Sequence, residues 1–414
     1  MISITGLSSV VCDGYHCGTC GATLLATCAI PSIKHMLLFE DLPHGPAHGN
    51  GNGRFSSADT TSSSQVISAG FRLRPSQVTW EMTRECKWKV VSSRPAKRNW
   101  RERAQVSTAE AFHLIEDIAE MRVPLLALTG GDPLCRADLF PVIEFASKRS
   151  VRTSLTLLPT PKLDRTVIAD LKEVGLMRVG LWLHGSSAEL HDAYWGVRDR
   201  YRRTLEIIES CHEVQLPVHI NTIVARRNLQ DIDPMFELLT RLDVAAWNVF
   251  FFVPCNQENP VEMLSADETE QVFARLYEGS GRVHFQVKTT EGPHYQRYLL
   301  QQRARETKRR FLEMDAVRCA PAGVNDSRGY VFVDYEGQVY PSRFLPVSAG
   351  NVTHRALSEI YGESPLFTSL RDGSRLKGKC GRCPVRAICG GSRARAYAVT
   401  GDLFAAEPSC AYEP

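Results

Sequence analysis

The chain has 414 residues, which allows two or three domains and a full-sized core. Hydrophobic residues make up 43% and charged residues 23%, as in a soluble globular protein, and no apolar run is long enough to span a membrane. Because the 49 Lys and Arg residues nearly balance the 46 Asp and Glu residues, non-specific nucleic-acid binding is not expected. The thirteen cysteines are too few for a secreted disulfide scaffold, and several cluster at short spacing. They favour metal or cluster ligation in a reducing, cytoplasmic compartment.

The first 75 residues differ from the rest because they are poor in charge and rich in Gly, Ser, Thr and His. The polar, low-complexity stretch 56–64 cannot bury enough apolar surface to order itself, so residues 1–75 are predicted to be a disordered leader. Cys12, Cys17 and Cys20 form a C-x4-C-x2-C triplet, for which a metal knuckle with an improvised fourth ligand is the alternative. The flexible leader is the favoured interpretation.

From residue 76, short β-rich runs alternate with amphipathic helical stretches, a pattern typical of βαβ units and a parallel sheet. Six parallel strands linked by helices predict an α/β fold, a partial (β/α)6 TIM-like barrel over 76–318 with its chemistry at the carboxyl ends of the strands. A cysteine-rich module is predicted for 319–414. The predicted strands are 78–83, 125–129, 153–158, 178–183, 218–223 and 247–253, with a further strand near 285–289. The predicted helices are 108–121, 136–148, 165–174, 201–214, 231–241, 266–276 and 293–311.

Three motifs then carry a resemblance. Trp80-Glu-Met-Thr-Arg-Glu-Cys86 closes the first strand, and Thr129-Gly-Gly-Asp-Pro133 closes the second. The C-terminal part contains Cys380-Gly-Arg-Cys383 and Cys389-Gly-Gly-Ser392, followed by Pro408-Ser-Cys410. Together these motifs resemble a radical S-adenosylmethionine (radical SAM) enzyme with a C-terminal SPASM module, in the branch of the haem and haem d1 biosynthesis enzymes. The resemblance spans residues 76–414.

In that family a C-x3-C-x2-C loop after the first strand holds three irons of a 4Fe–4S cluster, and the fourth iron binds S-adenosylmethionine. The corresponding loop begins at Cys86, but Val90 and Ser93 occupy the second and third ligand positions. Valine has no donor atom, and a hydroxyl is a poor substitute for a soft thiolate. The resemblance therefore implies a family member in which the catalytic cluster, with Cys86 as its remaining ligand, is disabled.

The other barrel motifs leave two interpretations each. By resemblance, Thr129, Gly130, Gly131 and Asp132 bind the ammonium group of S-adenosylmethionine, whereas locally the same residues predict a tight turn in which Asp132 starts the next helix. Where the family has Ser-Leu-Asp-Gly, this chain has Trp182-Leu-His184-Gly. His184 is interpreted as a hydrogen-bonded pocket histidine, with a metal ligand or base as the alternative.

The C-terminal motif implies one complete auxiliary site. Its ligands are Cys380, Cys383, Cys389 and Cys410, which would saturate a 4Fe–4S cluster or, alternatively, bind Zn²⁺. A second auxiliary site, whose candidates are Cys319 and positions 342 and 392, is predicted to be lost because the last two are serines.

Three functions follow from this pattern. The first is a radical SAM-fold protein without radical chemistry that binds a ligand or a partner protein and keeps one Fe–S or Zn site. The second is a working radical SAM oxidoreductase that modifies a tetrapyrrole or a peptide, with Cys12, Cys17 and Cys20 as the spare ligands. The third is a thiolate–zinc module without a redox role. Neither nucleic acid nor a membrane is expected as a partner.

Overall fold

The computed structural model describes residues 74–84, 105–254, 260–307 and 328–414, all within one compact unit, Asp59–Pro414. The triplet of Cys12, Cys17 and Cys20, the loop from Cys86 to Ser93, and Cys319 lie outside these residues. The predicted leader and the predicted module boundary at 318/319 also lie outside them.

One ten-stranded sheet organises the described chain. Its spatial order is β10-β9-β8-β1-β2-β3-β4-β5-β6-β7. The run from β8 through β7 is parallel throughout, while β9 and β10 pair antiparallel. The strands are β1 Gln77–Glu81, β2 Leu126–Thr129, β3 Thr153–Leu157, β4 Arg178–Trp182, β5 Val218–Val224, β6 Ala246–Phe251, β7 Gln286–Thr290, β8 Tyr330–Val333, β9 Gln338–Tyr340 and β10 Gly350–Asn351.

Helices connect the parallel strands, as a βα rhythm requires. Several begin at a side-chain cap. Ser107 and Ser265, for example, each form a capping box with a glutamate three residues later. The helices are α1 Thr108–Glu120, α2 Leu139–Lys148, α3 Arg165–Glu173, α4 Ala188–Trp195, α5 Arg200–Glu213, α6 Ile232–Arg241, α7 Ala266–Ser280, α8 His294–Glu306, α9 Leu357–Glu363, α10 Pro365–Arg371, α11 Gly378–Arg382 and α12 Arg393–Thr400. None of the helices in the described ranges is long and apolar enough to cross a membrane.

The sheet separates an apolar layer from a polar one. Alternate strand residues, such as Val179 and Leu181 of β4, join the core together with the apolar faces of the helices. The intervening residues lie on the opposite, inner face of the sheet, because successive side chains of a strand point to opposite faces. Several of these inner residues are buried polar groups, including Glu81, His219 and Asn221. In a sheet of this kind, the ligand site is expected where this polar face reaches the carboxyl ends of the strands.

The α/β class and the TIM-like parallel architecture predicted from the sequence are confirmed, but the sheet is larger than the six strands expected. The residues after the barrel do not form a separate layer, because β8 pairs in parallel with β1 and carries β9 and β10 with it. The two-turn helix α4, which is capped by Ser187, was not among the predicted helices.

Candidate functional site

The four C-terminal cysteines come together around one cavity. Cys380 lies in α11, Cys383 directly follows it, and Cys389 and Cys410 approach from the two chain segments that flank α12. The cavity has a volume of about 370 Å³, part of which is open to solvent. The sulfurs of Cys380 and Cys389 are buried, and the other two cysteines are half-buried. Residues far apart in sequence are thus brought to a single thiol-lined cavity.

Backbone N–H groups stabilise each of these four sulfurs. The N–H of Glu407 donates to Sγ of Cys380, and the N–H of Gly391 donates to Sγ of Cys389, both at 3.3 Å. The backbones at Val385 and Tyr412 make the same contribution to the other two thiols. Burial raises the pKa of Cys383, Cys389 and Cys410, and these N–H groups oppose that rise because they favour the anionic sulfur.

Ser342 and Ser392, the two serines at the predicted second auxiliary site, meet at a carboxylate. Oγ of Ser342 donates to Glu291 at 2.6 Å, and Oγ of Ser392 donates to the other oxygen of the same carboxylate. Glu291 directly follows β7 and is buried. A carboxylate held between two hydroxyls satisfies these polar groups without a metal. Glu291 could not be predicted as their partner, because the two serines are 51 and 101 positions away from it in the chain.

An ion pair joins this polar centre to the thiol cavity. Arg395 pairs with Glu407 at 3.0 Å, and both side chains are 1% exposed. Arg395 also donates to the backbone carbonyl of Glu291 at 2.6 Å. Although burial alone would raise it, the pKa of Glu407 is lowered to about 2, chiefly by Arg395. The carboxylate of Glu407 is therefore ionised, and the backbone N–H of the same residue donates to Sγ of Cys380.

The turn after β2 packs tightly against the end of β1. The N–H of Gly131 donates to the carbonyl of Thr83 at 2.7 Å. Asp132 is 3% exposed. Its carboxylate accepts hydrogen bonds from the N–H of Leu134 at 3.2 Å and from the thiol of Cys135 at 3.6 Å. Asp132 thus caps a short 3-10 helix, as the local interpretation predicted, and its carboxylate is already used within the turn.

We expect the substitution G130A to destabilise this turn, because a Cβ at Gly130 would lie 2.5 Å from the carbonyl oxygen of Thr83, a backbone atom that cannot rotate away. Overpacking of this kind costs about 1–3 kcal/mol. Urea unfolding monitored by circular dichroism measures the loss. The matched control is G362A in α9, where a Cβ meets nothing within 4 Å. Equal stability of the two variants would contradict the expectation.

Comparisons with known proteins bear on the site. The model of the radical SAM superfamily matches residues 86–239. An AdoMet-dependent heme synthase from Methanosarcina barkeri is 35% identical over 344 residues, which is 82% of this chain and 97% of the relative. A second protein of that name, from Oleidesulfovibrio alaskensis, is 32% identical over 383 residues, 90% of this chain and 96% of the relative. The chain belongs to the radical SAM superfamily.

Solved structures share the fold of this superfamily. Streptococcus suis SuiB aligns with a TM-score of 0.63 at 15% identity, over 82% of this chain and 78% of SuiB. The anSMEcpe structure with bound AdoMet aligns with a TM-score of 0.59 at 15% identity, over 81% of this chain and 94% of that structure. At such low identity the agreement concerns the fold alone.

His184 stands where the radical SAM motif usually has aspartate, and it is built into the protein by hydrogen bonds. Its ring Nδ1 accepts from the backbone N–H of Ile223 at 3.2 Å, and the backbone N–H of His184 donates to Nδ1 of His191 at 3.0 Å. Its ring stacks on Tyr194, with centroids 3.8 Å apart. In the described part of the chain, no three His, Cys, Asp or Glu side chains form a site for a single metal ion. These contacts fit the pocket-histidine interpretation. His191 was missed, although its place seven residues after His184 was visible.

Burial controls the charge of these histidines. Burial, followed by the neighbouring His191 and Arg227, lowers the pKa of His184 well below its usual value. Burial likewise lowers the pKa of His191 to about 4 and that of His219, on the inner face of β5, to about 3. All three imidazoles are therefore neutral at pH 7.

Acid should destabilise the protein through these groups. Below about pH 6.5 the unfolded chain binds protons that the folded chain refuses, so the free energy of unfolding falls with pH until the folded pKa is reached. A histidine with a folded pKa near 3 loses about 2 kcal/mol between pH 7 and pH 5. Urea titrations at both pH values should show a smaller drop for H219N than for the wild type. H113N, at a site with an 80% exposed side chain, is the control and should keep the wild-type drop.

The inner face also carries aromatic and amide groups near the strand ends. The rings of Trp182 and Phe250 lie 5.2 Å apart, and Nδ2 of Asn248 donates to Oδ1 of Asn221 at 2.9 Å. Lys288 lies on the same face by the register of β6 with β7, and burial, followed by Arg178, lowers its pKa to about 8. The face thus combines flat rings with amide and basic groups.

Proposed function

We propose that this chain is a radical SAM-fold protein that holds one 4Fe–4S cluster in a SPASM-like C-terminal module and does not perform radical chemistry. One contrast carries the proposal. Four cysteines line a single cavity in the C-terminal part, whereas the stretch from Cys86 to Ser93 that should hold the catalytic cluster contains one cysteine.

The donors at the C-terminal cavity fit a cluster. Four thiols, each with a backbone N–H donor, are the chemistry that a saturated 4Fe–4S cluster requires. A single Zn²⁺ bound by the same four thiolates, each at about 2.3 Å from the ion, is the alternative occupant. A cluster with four thiolate ligands has no open iron and would carry electrons or stabilise the fold.

The donors at the barrel loop do not fit the catalytic cluster. Cys86 supplies one thiolate, Val90 supplies none, and the Ser93 hydroxyl is a hard donor. One sulfur donor cannot hold an iron–sulfur cube whose fourth corner must remain open. His184 replaces the usual aspartate at a neighbouring strand end, and the Asp132 carboxylate is used in its own turn. Binding of S-adenosylmethionine then rests on the backbone around Thr129, Gly130 and Gly131.

The ligand proposed for this fold is a tetrapyrrole. This chain aligns over nearly the whole length of two relatives that are named AdoMet-dependent heme synthases. More distant relatives are a Fe-coproporphyrin III synthase at 28% identity and a pre-heme d1 synthase at 27%. The Trp182–Phe250 pair and Lys288 on the inner face suit a flat ring with acidic substituents. A peptide is the alternative, since a PqqA peptide cyclase is 24% identical over 354 residues.

A working enzyme is the second candidate. Its support is the 35% identity to a heme synthase over 97% of that relative, together with the intact turn at Gly130 and Gly131. It requires cluster ligands from outside the stretch between Cys86 and Ser93, for which Cys12, Cys17 and Cys20 are the spare thiols.

Anaerobic reconstitution followed by iron, sulfide and zinc analysis tests these functions. About four irons per chain, without methionine or 5′-deoxyadenosine release under dithionite, is the expected result. About eight irons with S-adenosylmethionine cleavage would replace the proposal by the working enzyme, and zinc alone would leave only the thiolate–zinc module. The variant C389A should lose the cluster. Fluorescence titration tests the ligand class. Binding of coproporphyrin III would support a tetrapyrrole, and its displacement by a peptide would support the alternative.

A further inference from the structure

Arg297 in α8 is a buried cation at the wall of the thiol cavity. It lines the cavity together with the four cysteines, and its side chain is 4% exposed. Two other basic residues line the same cavity, but Arg386 is exposed at the surface and Lys379 pairs with Glu413 at 3.2 Å. Glu407, the acidic residue of the lining, is neutralised by Arg395. Among the basic residues that line the cavity, Arg297 thus carries the most deeply buried charge.

Two neighbouring side chains hold the terminal nitrogens of Arg297, whereas its Nε has no acceptor among the described residues. Its two terminal nitrogens bind the Glu270 carboxylate, and one of them also donates to the Gln301 side chain at 2.7 Å. Its guanidinium lies 5.7 Å from the centre of the Tyr412 ring. Its Nε is buried and has no hydrogen-bond partner among the described residues. A buried donor without a partner normally marks a missing acceptor.

The buried charge of Arg297 acts across the cavity. Arg297 lies at the cavity wall with the four cysteines and its side chain is 4% exposed, so little water screens its charge from the sulfurs. The same electrostatics act on any anionic group in the cavity. A cluster with four thiolates carries negative charge and gains more when it is reduced, so a nearby buried cation favours the reduced form.

We propose that Arg297, held by Glu270, is the residue that sets the reduction potential of the C-terminal cluster by placing a buried positive charge and the Nε donor beside its sulfurs. This inference rests on the proposed function, because it requires a cluster between the four cysteines. It assigns the Arg297–Glu270 pair the role of tuning residues that act on the cluster through space, without ligating iron.

The sign of the effect separates tuning from mere packing. Removal of the cation in R297M should lower the potential, because the reduced cluster loses its counter-charge. Removal of the carboxylate in E270Q should raise it, because Arg297 then acts uncompensated. A purely structural role for the pair predicts no opposite shifts at equal iron content. Glu270 contacts Arg297 without lining the cavity, so E270Q leaves the cavity wall in place.

Redox titration of the reconstituted full-length chain, followed by EPR of the reduced cluster, measures these shifts. For R297M we expect the ratio of oxidised to reduced cluster at the wild-type midpoint to rise at least tenfold, or 59 mV for one electron. R297K, which keeps the charge but loses Nε, should shift less in the same direction. R305M removes an exposed cation from the same helix, α8, at a position that does not line the cavity, and is the matched control, with no expected shift.

The outcomes distinguish this inference from the proposed function. Wild-type protein without iron would refute the cluster itself. Iron-loaded R297M and E270Q with the wild-type potential would refute the role of Arg297 and leave the cluster in place. If R297M fails to fold or to load iron, the potentials of R297K and E270Q test the inference instead. R297K keeps a positive charge at position 297, and E270Q keeps a hydrogen-bonding side chain at position 270. E270Q and R297K shifting in the same direction would also overturn the inference.

Discussion

Restoration of two cysteines in V90C/S93C is expected to raise the iron content from about four to about eight per chain, the largest single change that the proposed function allows. The double variant recreates C-x3-C-x2-C with Cys86, so three thiolates can again converge on one cube and leave a corner open. The fold that should receive this loop is intact, because β1 and β2 pair in register and the N–H of Gly131 still bonds the carbonyl of Thr83. Anaerobic reconstitution with iron and sulfide analysis is the measurement.

Cleavage of S-adenosylmethionine provides the second readout for V90C/S93C. Release of 5′-deoxyadenosine under dithionite should change from absent to detectable, although His184 and Trp182 still differ from the usual strand end. The single variant S93C supplies two thiolates and is the matched control, with no added iron. A double variant that stays at four irons would mean that the barrel has lost more than its cysteines. Cleavage by the wild type would refute the inactive interpretation directly.

Local patterns gave the barrel with little error. The seven strands from β1 to β7 begin and end within two residues of their predicted bounds, because β-branched runs and the intervening amphipathic helices are local signals. The pairing of β8 with β1 was not predictable in the same way, since a parallel contact between Val78 and Val331 has no local signature. The antiparallel partner β9 did have one, in the alternating residues on either side of the turn at Gly337, and it was overlooked.

The residues of the candidate site also fall into a group that could be predicted from the sequence and a group that could not. C-x2-C spacing places Cys380 and Cys383 on one short turn, whereas the inclusion of Cys389 and Cys410 in the same set was implied by the family resemblance. The groups that surround them did not follow, since Glu291 reaches Ser392 over 101 positions and Arg297 reaches Glu270 over 27. Such contacts depend on how the C-terminal chain folds back on the barrel. Residue type is visible in a sequence, whereas the partner of a buried charge is visible only in the fold.

Arg395 joins the C-terminal chain to the barrel, and R395M should be a strongly destabilising substitution. Arg395 and Glu407 form an ion pair at 3.0 Å with 1% exposure on each side. Removal of one partner leaves a buried, unpaired carboxylate, which costs about 3–5 kcal/mol. Arg395 also bonds the backbone carbonyls of Glu291 and Phe252, which follow β7 and β6, so those acceptors lose their donor as well.

The loss in R395M should appear in two measurements. Urea unfolding of the reconstituted chain should show the lower free energy of unfolding, and bipyridyl should remove iron faster, because the N–H of Glu407 supports Sγ of Cys380. K377M is the matched control, since Lys377 pairs with Asp402 at 2.6 Å while 65% exposed, and breaking such a surface pair costs about 1 kcal/mol or less. If R395M and K377M were equally stable, the buried pair would not hold the C-terminal chain to the barrel. If R395M lost stability but kept its iron at the wild-type rate, the pair would hold the fold without supporting the thiol cavity.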